Sequence, residues 1–354
     1  MKKIIVILFL ISLIFGEGAK YLIITADTFY NTILPLAHWK TQKGLKAFIA
    51  PLSLTGRTPD SIKNFILNAY NNWEPRPEYL LLVGSPEFLP SYFSSGIYTD
   101  NYYADMSGDY RAEILYGRLP CRTSSQCSTM IRKILIYEKE PLLIDSLWMV
   151  KGTGIVREDY DPPDDSIYWS DIRFSFQHMG EAGFIKIDTF SRVQGDNADS
   201  IINACNDGRS IVLYRGQGVG NWYSPFNVNP SLVNNFGKYP IIGSFTCQTL
   251  TLAPNESMVG ERWLRVGNYL SPKGAVAFFG NTHSGSNIAI VRSVAIRGFV
   301  RSYFSDSFKL GRACLSAKES IYTFFSNRQE YEGFKSFRRP RIEYFNKHSP
   351  PAYL

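Results

Sequence analysis

Short apolar runs alternate with amphipathic segments along most of the chain. The series begins with "KYLIITA" (20–26), continues with the helical pattern "NTILPLAHWKTQKG" (31–44) and returns to an apolar run at "KAFIAPL" (46–52). Apolar positions spaced three and four apart predict a helix, whereas near-continuous apolar runs predict strands that are buried on both faces. Because the two patterns alternate, the sequence predicts an α/β fold with mostly parallel sheets flanked by helices.

The same alternation continues to about residue 325. Further predicted strands cover 78–84, 148–156, 185–190, 210–214, 239–247 and 274–281. Further predicted helices cover 59–73, 124–140, 165–183, 197–208, 230–237, 256–268 and 288–325. We therefore predict two α/β subdomains, 19–145 and 146–325, followed by a loosely structured basic tail at 326–354.

The first residues have a different character from the rest of the chain. Two lysines precede an apolar run from Ile4 to Phe15, and small residues follow at Gly16 and Gly18. This run is shorter than a membrane-spanning helix and is typical of a secretory signal peptide, with an uncleaved anchor as the alternative. We expect residues 1–18 to be a signal peptide. The mature chain is then exported to an extracellular, cell-surface or periplasmic location, without an integral membrane span.

Composition excludes several classes of protein. The chain has 354 residues, of which 45% are hydrophobic and 19% are charged, and this composition is typical of a globular protein. Five cysteines leave at least one thiol unpaired, and the length excludes a small disulfide-stapled scaffold. The formal net charge is +7, but basic residues do not interleave with aromatic residues along any predicted helix or strand. We therefore expect no binding to nucleic acid.

Three loops of the second series carry the candidate chemistry. They are "RGQGVG", "CQTL" and "NTHSGS", and each follows one of three successive predicted strands. In a parallel sheet such loops gather at the carboxyl ends of the strands, where ligands and catalytic groups also lie. The sequence therefore predicts that Gln217, Cys247 and His283 face one cleft.

Cys247 is the candidate nucleophile, because it lies at the end of a strand and not within an apolar stripe. Backbone N–H groups at such a position favour the reactive thiolate, whereas a buried, inert cysteine is the alternative. A catalytic thiol also needs a proton carrier within hydrogen-bond reach. His38 and His178 lie in predicted helices and His348 lies in the tail, so His283 is the remaining candidate.

Together these features resemble the gingipain family of secreted cysteine peptidases, which have a caspase-like fold. The resemblance rests on the loop "YRGQG", on the strand that ends in Cys247, on "TDNYYADMSGDYRAEILYGRLP" (99–120) and on "KGAVAFFGNT" (273–282). It runs through about residues 20–325. It implies a caspase-like three-layer sandwich, hydrolysis of peptide bonds in a peptide or protein substrate, and no required cofactor.

The family places a histidine between the two glycines of the first loop, where it forms a catalytic dyad with the cysteine. The resemblance makes Cys247 the nucleophile and puts Gln217 at the histidine position. An amide has no titratable proton and cannot act as a general acid or base. We therefore expect a peptidase of reduced activity, with His283 as a candidate relocated base. The alternatives are an inactive peptide-binding protein and an accessory protein of the cell surface or of secretion.

The resemblance also implies acidic residues beside the histidine and in the pocket for a basic substrate side chain. Their nearest counterparts are Glu158 and Asp171 in "VREDYDPPDDSIYWSDI" (156–172). For Asp171, a solvated residue near a helix start is the alternative. The predicted substrate-binding set is completed by Trp222, Tyr223 and Thr282.

One short segment has the oxygen spacing of a calcium-binding loop. In "ADMSGD" (104–109), Asp105, Ser107 and Asp109 occupy alternate positions. The segment lacks the downstream glutamate of an EF-hand, so a capped turn is the alternative. A structural calcium ion at Asp105 and Asp109 is the metal site that the sequence suggests.

Overall fold

Two parallel β-sheets form the framework of the protein. The computed structural model describes residues 18–94, 96–139, 143–282, 289–305 and 308–325. In chain order, the strands are β1 (Tyr21–Thr25), β2 (Ala47–Pro51), β3 (Tyr79–Val83), β4 (Tyr92–Ser94), β5 (Ile97–Thr99), β6 (Leu115–Leu119), β7 (Lys151–Arg157), β8 (Lys186–Ser191), β9 (Ile211–Gly216), β10 (Gly218–Val219), β11 (Asn221–Trp222), β12 (Ile241–Phe245) and β13 (Ala277–Gly280). The helices are α1 (Tyr30–Gln42), α2 (Leu52–Thr55), α3 (Pro59–Asn72), α4 (Ser124–Lys139), α5 (Pro162–Glu181), α6 (Ala198–Asp207), α7 (Val259–Arg265), α8 (Ala289–Ser305) and α9 (Leu310–Phe325). Short 3-10 helices lie at Asp27–Phe29, Asn101–Tyr103, Leu143–Val150 and Pro230–Leu232.

The strand order brings three functional loops to one edge of the second sheet. The first sheet has the order β2-β1-β3-β6 and the second has the order β13-β12-β9-β7-β8, and neighbouring strands are parallel in both. In register, Ser244 of β12 lies opposite Tyr214 of β9 and Gly280 of β13. The loops that follow these three strands therefore leave the sheet together. The predicted α/β fold, with mostly parallel sheets flanked by helices, is confirmed.

The side chains of β9 explain why both faces of the second sheet are covered. Ile211 and Leu213 pack with α5 and α8 in one core cluster, whereas Val212 and Tyr214 pack with α6 and α7 in another. Because both faces of the strand are buried, both sets of alternate positions must be apolar. This is the physical reason that the hydrophobic pattern located the central strands.

One charged residue interrupts the apolar pattern at the end of β9. Arg215 is completely buried, and its guanidinium donates to the carboxylate of Asp171 on α5 at 2.8 Å. It also donates to the backbone carbonyls of Phe245 at the end of β12 (3.0 Å) and of Ala289 at the start of α8 (2.9 Å). A single side chain therefore fixes two strand ends and two helices relative to one another.

The carboxylate of Asp171 is also completely buried, and both of its oxygens accept hydrogen bonds. Oδ2 accepts from Arg215, while Oδ1 accepts from the hydroxyl of Ser293 at 2.5 Å and from Nε of Arg297 at 3.0 Å. These donors offset the cost of removing the charge from water. The alternative of a solvated Asp171 is therefore wrong, because its side chain is enclosed by α5, α8 and β9.

A buried amine joins the two halves of the structure. Lys133 of α4 donates through Nζ to the carbonyls of Trp263 (3.3 Å), Leu264 (2.5 Å) and Lys273 (3.0 Å). Two of these carbonyls lie in the last turn of α7, where the helix itself supplies no donor. Burial lowers the pKa of Lys133 to about 7. Such contacts join residues on the two sides of the predicted boundary at residue 145. The division into subdomains 19–145 and 146–325 stays a prediction.

The predicted single helix at 288–325 is wrong. The described residues of this range form two helices, α8 and α9, and Phe308 lies between them with φ 57°. A residue in the left-handed conformation cannot belong to a continuous right-handed helix. The ring of Phe308 packs against Tyr303 and Phe304 of α8.

The two ends of the chain carry predictions that the structure does not address. The predicted signal peptide (1–18), apart from Gly18, and the predicted tail (326–354) lie outside the described residues. Within the part of the chain that is described, no helix is both long enough and apolar enough to cross a membrane.

Replacing Arg215 with methionine is expected to lower the free energy of unfolding by about 3–5 kcal/mol, because Asp171 would keep a buried charge without its main counter-ion. Arg297→Met is the matched control. It removes a second partner of the same carboxylate, but this arginine is 30% exposed, so its loss should cost about 1 kcal/mol or less. Urea unfolding followed by tryptophan fluorescence measures both effects.

If Arg215→Met and Arg297→Met lowered the free energy of unfolding by the same amount, the central role of Arg215 would be contradicted. If Arg215→Met alone does not fold, the double variant Arg215→Met/Asp171→Leu removes both charges and should recover a folded protein.

Lys133→Met is expected to lower the free energy of unfolding by about 2–3 kcal/mol, because the buried carbonyls of Leu264 and Lys273 lose the amine that donates to them. The amine releases its proton near pH 7 in the folded protein and near its ordinary 10.5 in the unfolded chain. The folded state therefore binds fewer protons between these values, and the stability of the wild type relative to the variant should rise with pH across this window. Urea unfolding at several pH values measures this difference.

Lys139→Met is the control for this experiment, because Lys139 lies exposed on the same helix. A difference between wild type and Lys133→Met that does not change with pH would contradict the lowered pKa.

Candidate active site

Cys247 lies just beyond the end of β12, at the carboxyl edge of the second sheet. Its side chain is 5% exposed, and the thiol is not part of a disulfide. The chain turns immediately after it, since Gln248 has φ 43°, a conformation that non-glycine residues seldom adopt. Such backbone strain persists only where the surrounding structure imposes it, and it is concentrated at functional sites. The turn holds the sulfur at the sheet edge and largely screened from bulk water.

The loop after β9 presents Gln217 to solvent. Gly216 has φ 138°, and a Cβ atom at this position would lie 2.4 Å from the carbonyl oxygen of Arg157, so only glycine fits. The hydroxyl of Tyr214 donates to the carbonyl of Gln217 at 2.6 Å. The contact with Arg157 and the hydrogen bond from Tyr214 therefore fix the backbone of the loop, while the amide side chain of Gln217 is exposed.

Two hydrogen bonds place the Gln217 loop and the Cys247 loop side by side. The N–H of Gly220 donates to the carbonyl of Gln248 at 2.9 Å, and the hydroxyl of Thr246 donates to the carbonyl of Gly218 at 3.2 Å. These bonds connect the residues that flank Gln217 to the residues that flank Cys247. The two positions thus belong to one edge of the sheet.

An arginine that the sequence analysis missed contacts the sulfur of Cys247. Nη2 of Arg292, in the first turn of α8, donates to Sγ at 2.6 Å, and Arg292 is 3% exposed. Burial lowers the pKa of Arg292, and attraction to the sulfur opposes this shift. The available signal was a charged residue inside the apolar segment "AIVRSVAIRGFV" (289–300).

A small cavity opens at the carboxyl ends of β12 and β13. It is lined by Ser244, Phe245, Thr246, Phe279, Gly280, Asn281 and Arg292. Thr282, a predicted substrate-binding residue, is partly buried and follows this wall directly. The candidate base His283 lies outside the described residues.

Glu158 is buried near the carboxyl ends of β7 and β8. Its Oε1 accepts from Nε1 of Trp169 at 3.0 Å and from the hydroxyl of Ser191 at 2.5 Å, and its Oε2 accepts from the N–H of Arg192 at 3.0 Å. Protein donors therefore occupy both oxygens. In this structure Glu158 links two loops, and Asp171 is likewise occupied by Arg215 and its neighbours.

The two aromatic residues after the loop have different surroundings. Trp222 is completely buried, stacks on Tyr214 at 4.6 Å between ring centroids, and donates through Nε1 to the hydroxyl of Ser244 at 2.9 Å. Tyr223 is 40% exposed, and the guanidinium of Arg157 lies 5.5 Å from its ring centroid. Trp222 therefore supports the loop from the core, whereas Tyr223 faces solvent near Gln217.

The suggested calcium loop contains a third carboxylate. Ligand oxygens of Asp105, Asp109 and Glu113 all lie within 4.8 Å of one another. The carboxylate of Asp105 also accepts from the N–H groups of Gly108 (2.7 Å) and Tyr110 (3.0 Å), as a capped turn requires. A structural calcium ion at Asp105 and Asp109 stays a prediction.

Known proteins resemble this chain in sequence and in fold. Gingipain R2 of Porphyromonas gingivalis is 24% identical over 275 residues, which are 75% of this chain and 37% of the relative. Lys-gingipain W83 of the same organism is 25% identical over 281 residues, which are 76% of this chain and 16% of the relative. The chain therefore spans well under half the length of the curated relatives that it matches.

The crystal structure of the Arg-specific cysteine proteinase gingipain R has the same fold. Its TM-score is 0.79 at 19% sequence identity, over 90% of this chain and 77% of that chain. This match confirms the predicted caspase-like architecture. The sequence profile of peptidase family C25 matches residues 16–345, which is most of the chain. We conclude that this chain belongs to peptidase family C25, the gingipain-type cysteine peptidases.

Proposed function

We propose that this chain is an exported cysteine peptidase of reduced activity, with Cys247 as its nucleophile. The observation that carries the proposal is the position of Cys247, on a strained turn at the carboxyl edge of the sheet and beside the glycine-rich loop of Gln217. Membership of family C25 supports the reaction class. The apolar run at residues 4–15 supports export through a signal peptide.

The proposed reaction separates into two requirements. The thiolate of Cys247 attacks the peptide carbonyl and forms a C–S bond, which a cysteine can do without help once it is ionised. The amine must then leave, and it leaves readily only when it receives a proton. Gln217 can donate a hydrogen bond to the substrate but cannot supply that proton, so acylation by a peptide should be slow.

A second candidate function follows from the same residue. If no other group carries the proton, the exposed Gln217 and Tyr223 form a surface that binds peptides without cleaving them. An accessory role at the cell surface or in secretion belongs to this candidate. Binding of a peptide without Cys247-dependent product distinguishes it from a slow peptidase.

The substrate is proposed to be a peptide or protein. The names of the relatives specify arginine or lysine, but in this chain protein donors occupy the carboxylates of both Glu158 and Asp171. Assays should therefore cover acidic, apolar and basic residues at the cleavage position.

Gln217→His is expected to increase peptide cleavage by about 10²-fold or more, because it supplies an imidazole for the leaving amine. The substitution should leave the fold unchanged, since the side chain is exposed and the glycine beside it is kept. Gln217→Asn is the control, because it changes the side chain without adding a titratable group. Release of fluorophore from a peptide library measures the rates. Equal rates in all three proteins would argue that position 217 is not on the path of the proton.

Cys247→Ala is expected to abolish whatever cleavage the purified mature protein shows, because the nucleophile is removed. Cys314→Ala is the matched control, since Cys314 is another free thiol and lies in α9, far along the chain from the site. His283→Ala tests the relocated base in the same assay. Robust wild-type cleavage that both Cys247→Ala and His283→Ala remove would favour a working dyad over reduced activity.

A further inference from the structure

The sulfur of Cys247 is in direct contact with a buried cation. Nη2 of Arg292 lies 2.6 Å from Sγ, and both side chains are at least nine-tenths buried. A guanidinium taken out of water is costly unless an anion or strong acceptors surround it. A thiolate is such an anion, whereas a neutral thiol is a weak acceptor.

Three further titratable groups among the described residues lie near Arg292. Arg215 is a second cation near Arg292, but its charge is met by Asp171 at 2.8 Å. Asp164 is a further acidic group that attracts both arginines, and burial raises its pKa. Burial also raises the pKa of Tyr168 to about 12, so its hydroxyl stays neutral near pH 7. Cys247, in contrast, is in direct hydrogen-bond contact with the guanidinium of Arg292, so the anionic form of its sulfur can balance that charge.

We propose that Arg292 is the electrostatic partner of the nucleophile and holds Cys247 as a thiolate with its sulfur in a fixed direction. This inference rests on the proposed function, because it takes Cys247 as the reactive group. In this proposal Arg292 of α8 stabilises the thiolate of Cys247. An imidazolium in the Gln217 loop would otherwise supply that stabilisation.

A guanidinium does not release its proton near neutral pH, so Arg292 supplies stabilisation without acid catalysis. This restricts the substrates that can acylate Cys247. Sγ attacks a carbonyl carbon and the C–S bond forms, and then the leaving group departs with its electron pair. A phenolate or thiolate departs as an anion, whereas an amine needs a proton. Activated esters and thioesters are therefore the acyl donors that this site should accept.

The pH dependence of alkylation tests the ionisation directly. Iodoacetamide forms a C–S bond with the thiolate and releases iodide, so its rate follows the thiolate fraction. Mass spectrometry of the Cys247 peptide separates this thiol from the other four. In the wild-type protein we expect half-maximal alkylation at a lower pH than the about 8.5 of an ordinary cysteine. In Arg292→Gln the midpoint should return towards 8.5, and the rate at pH 7 should fall at least about tenfold.

Arg301→Gln is the matched control, because Arg301 is exposed on the same helix, and it should keep the wild-type midpoint. A change in accessibility scales the rate at every pH, whereas a change in ionisation moves the midpoint. Identical midpoints in wild type and Arg292→Gln would overturn the proposal. Should Arg292→Gln fail to fold, a wild-type midpoint near 8.5 would overturn it equally.

A second measurement separates this inference from the proposed peptidase. With p-nitrophenyl acetate, the wild type should release a burst of about one equivalent of p-nitrophenolate, and Cys247→Ala should release none. A burst without peptide cleavage would count against the peptidase, and a slower burst in Arg292→Gln than in Arg301→Gln would support the role of Arg292. Absence of the burst, together with an ordinary alkylation midpoint, would overturn the inference.

Discussion

The buried pair of Asp171 and Arg215 is the constraint on which the candidate site depends. Arg215 is the penultimate residue of β9, directly before the turn at Gly216, and it also holds the last carbonyl of β12 and the first carbonyl of α8. The loop of Gln217, the turn of Cys247 and the helix of Arg292 all begin within a few residues of these contacts. Their mutual positions therefore follow from one ion pair that is removed from water.

The proposed role of Arg292 would give one part of the catalytic histidine's work, which the family resemblance places at position 217, to a different element of this chain. An imidazole near a thiol stabilises the thiolate by its charge and also moves a proton to the leaving group. In this chain a cation reaches the sulfur from α8, and the position on the β9 loop holds an amide. On this proposal Arg292 supplies the stabilising charge, whereas the amide of Gln217 cannot transfer a proton.

The sequence predicted the features that repeat and missed those that depend on a single distant contact. Strands such as β9 were found because burial on both faces requires a continuous apolar run. Asp171 was assigned to solvent or to a pocket, since nothing local reveals that Arg215 lies opposite it. Arg292 was passed over for the same reason. Trp222 was assigned to the substrate-binding set, yet its ring belongs to the core beneath the glycine-rich loop.

The glycine-rich loop has a consequence for how this protein can evolve. Its backbone path is set by the close approach of Gly216 to Arg157 and by the hydroxyl of Tyr214, and not by the side chain at position 217. That position is therefore free to change without cost to the fold. Glutamine and histidine codons differ only in their third base. A single base change can therefore replace the amide at position 217 with an imidazole, or the imidazole with an amide.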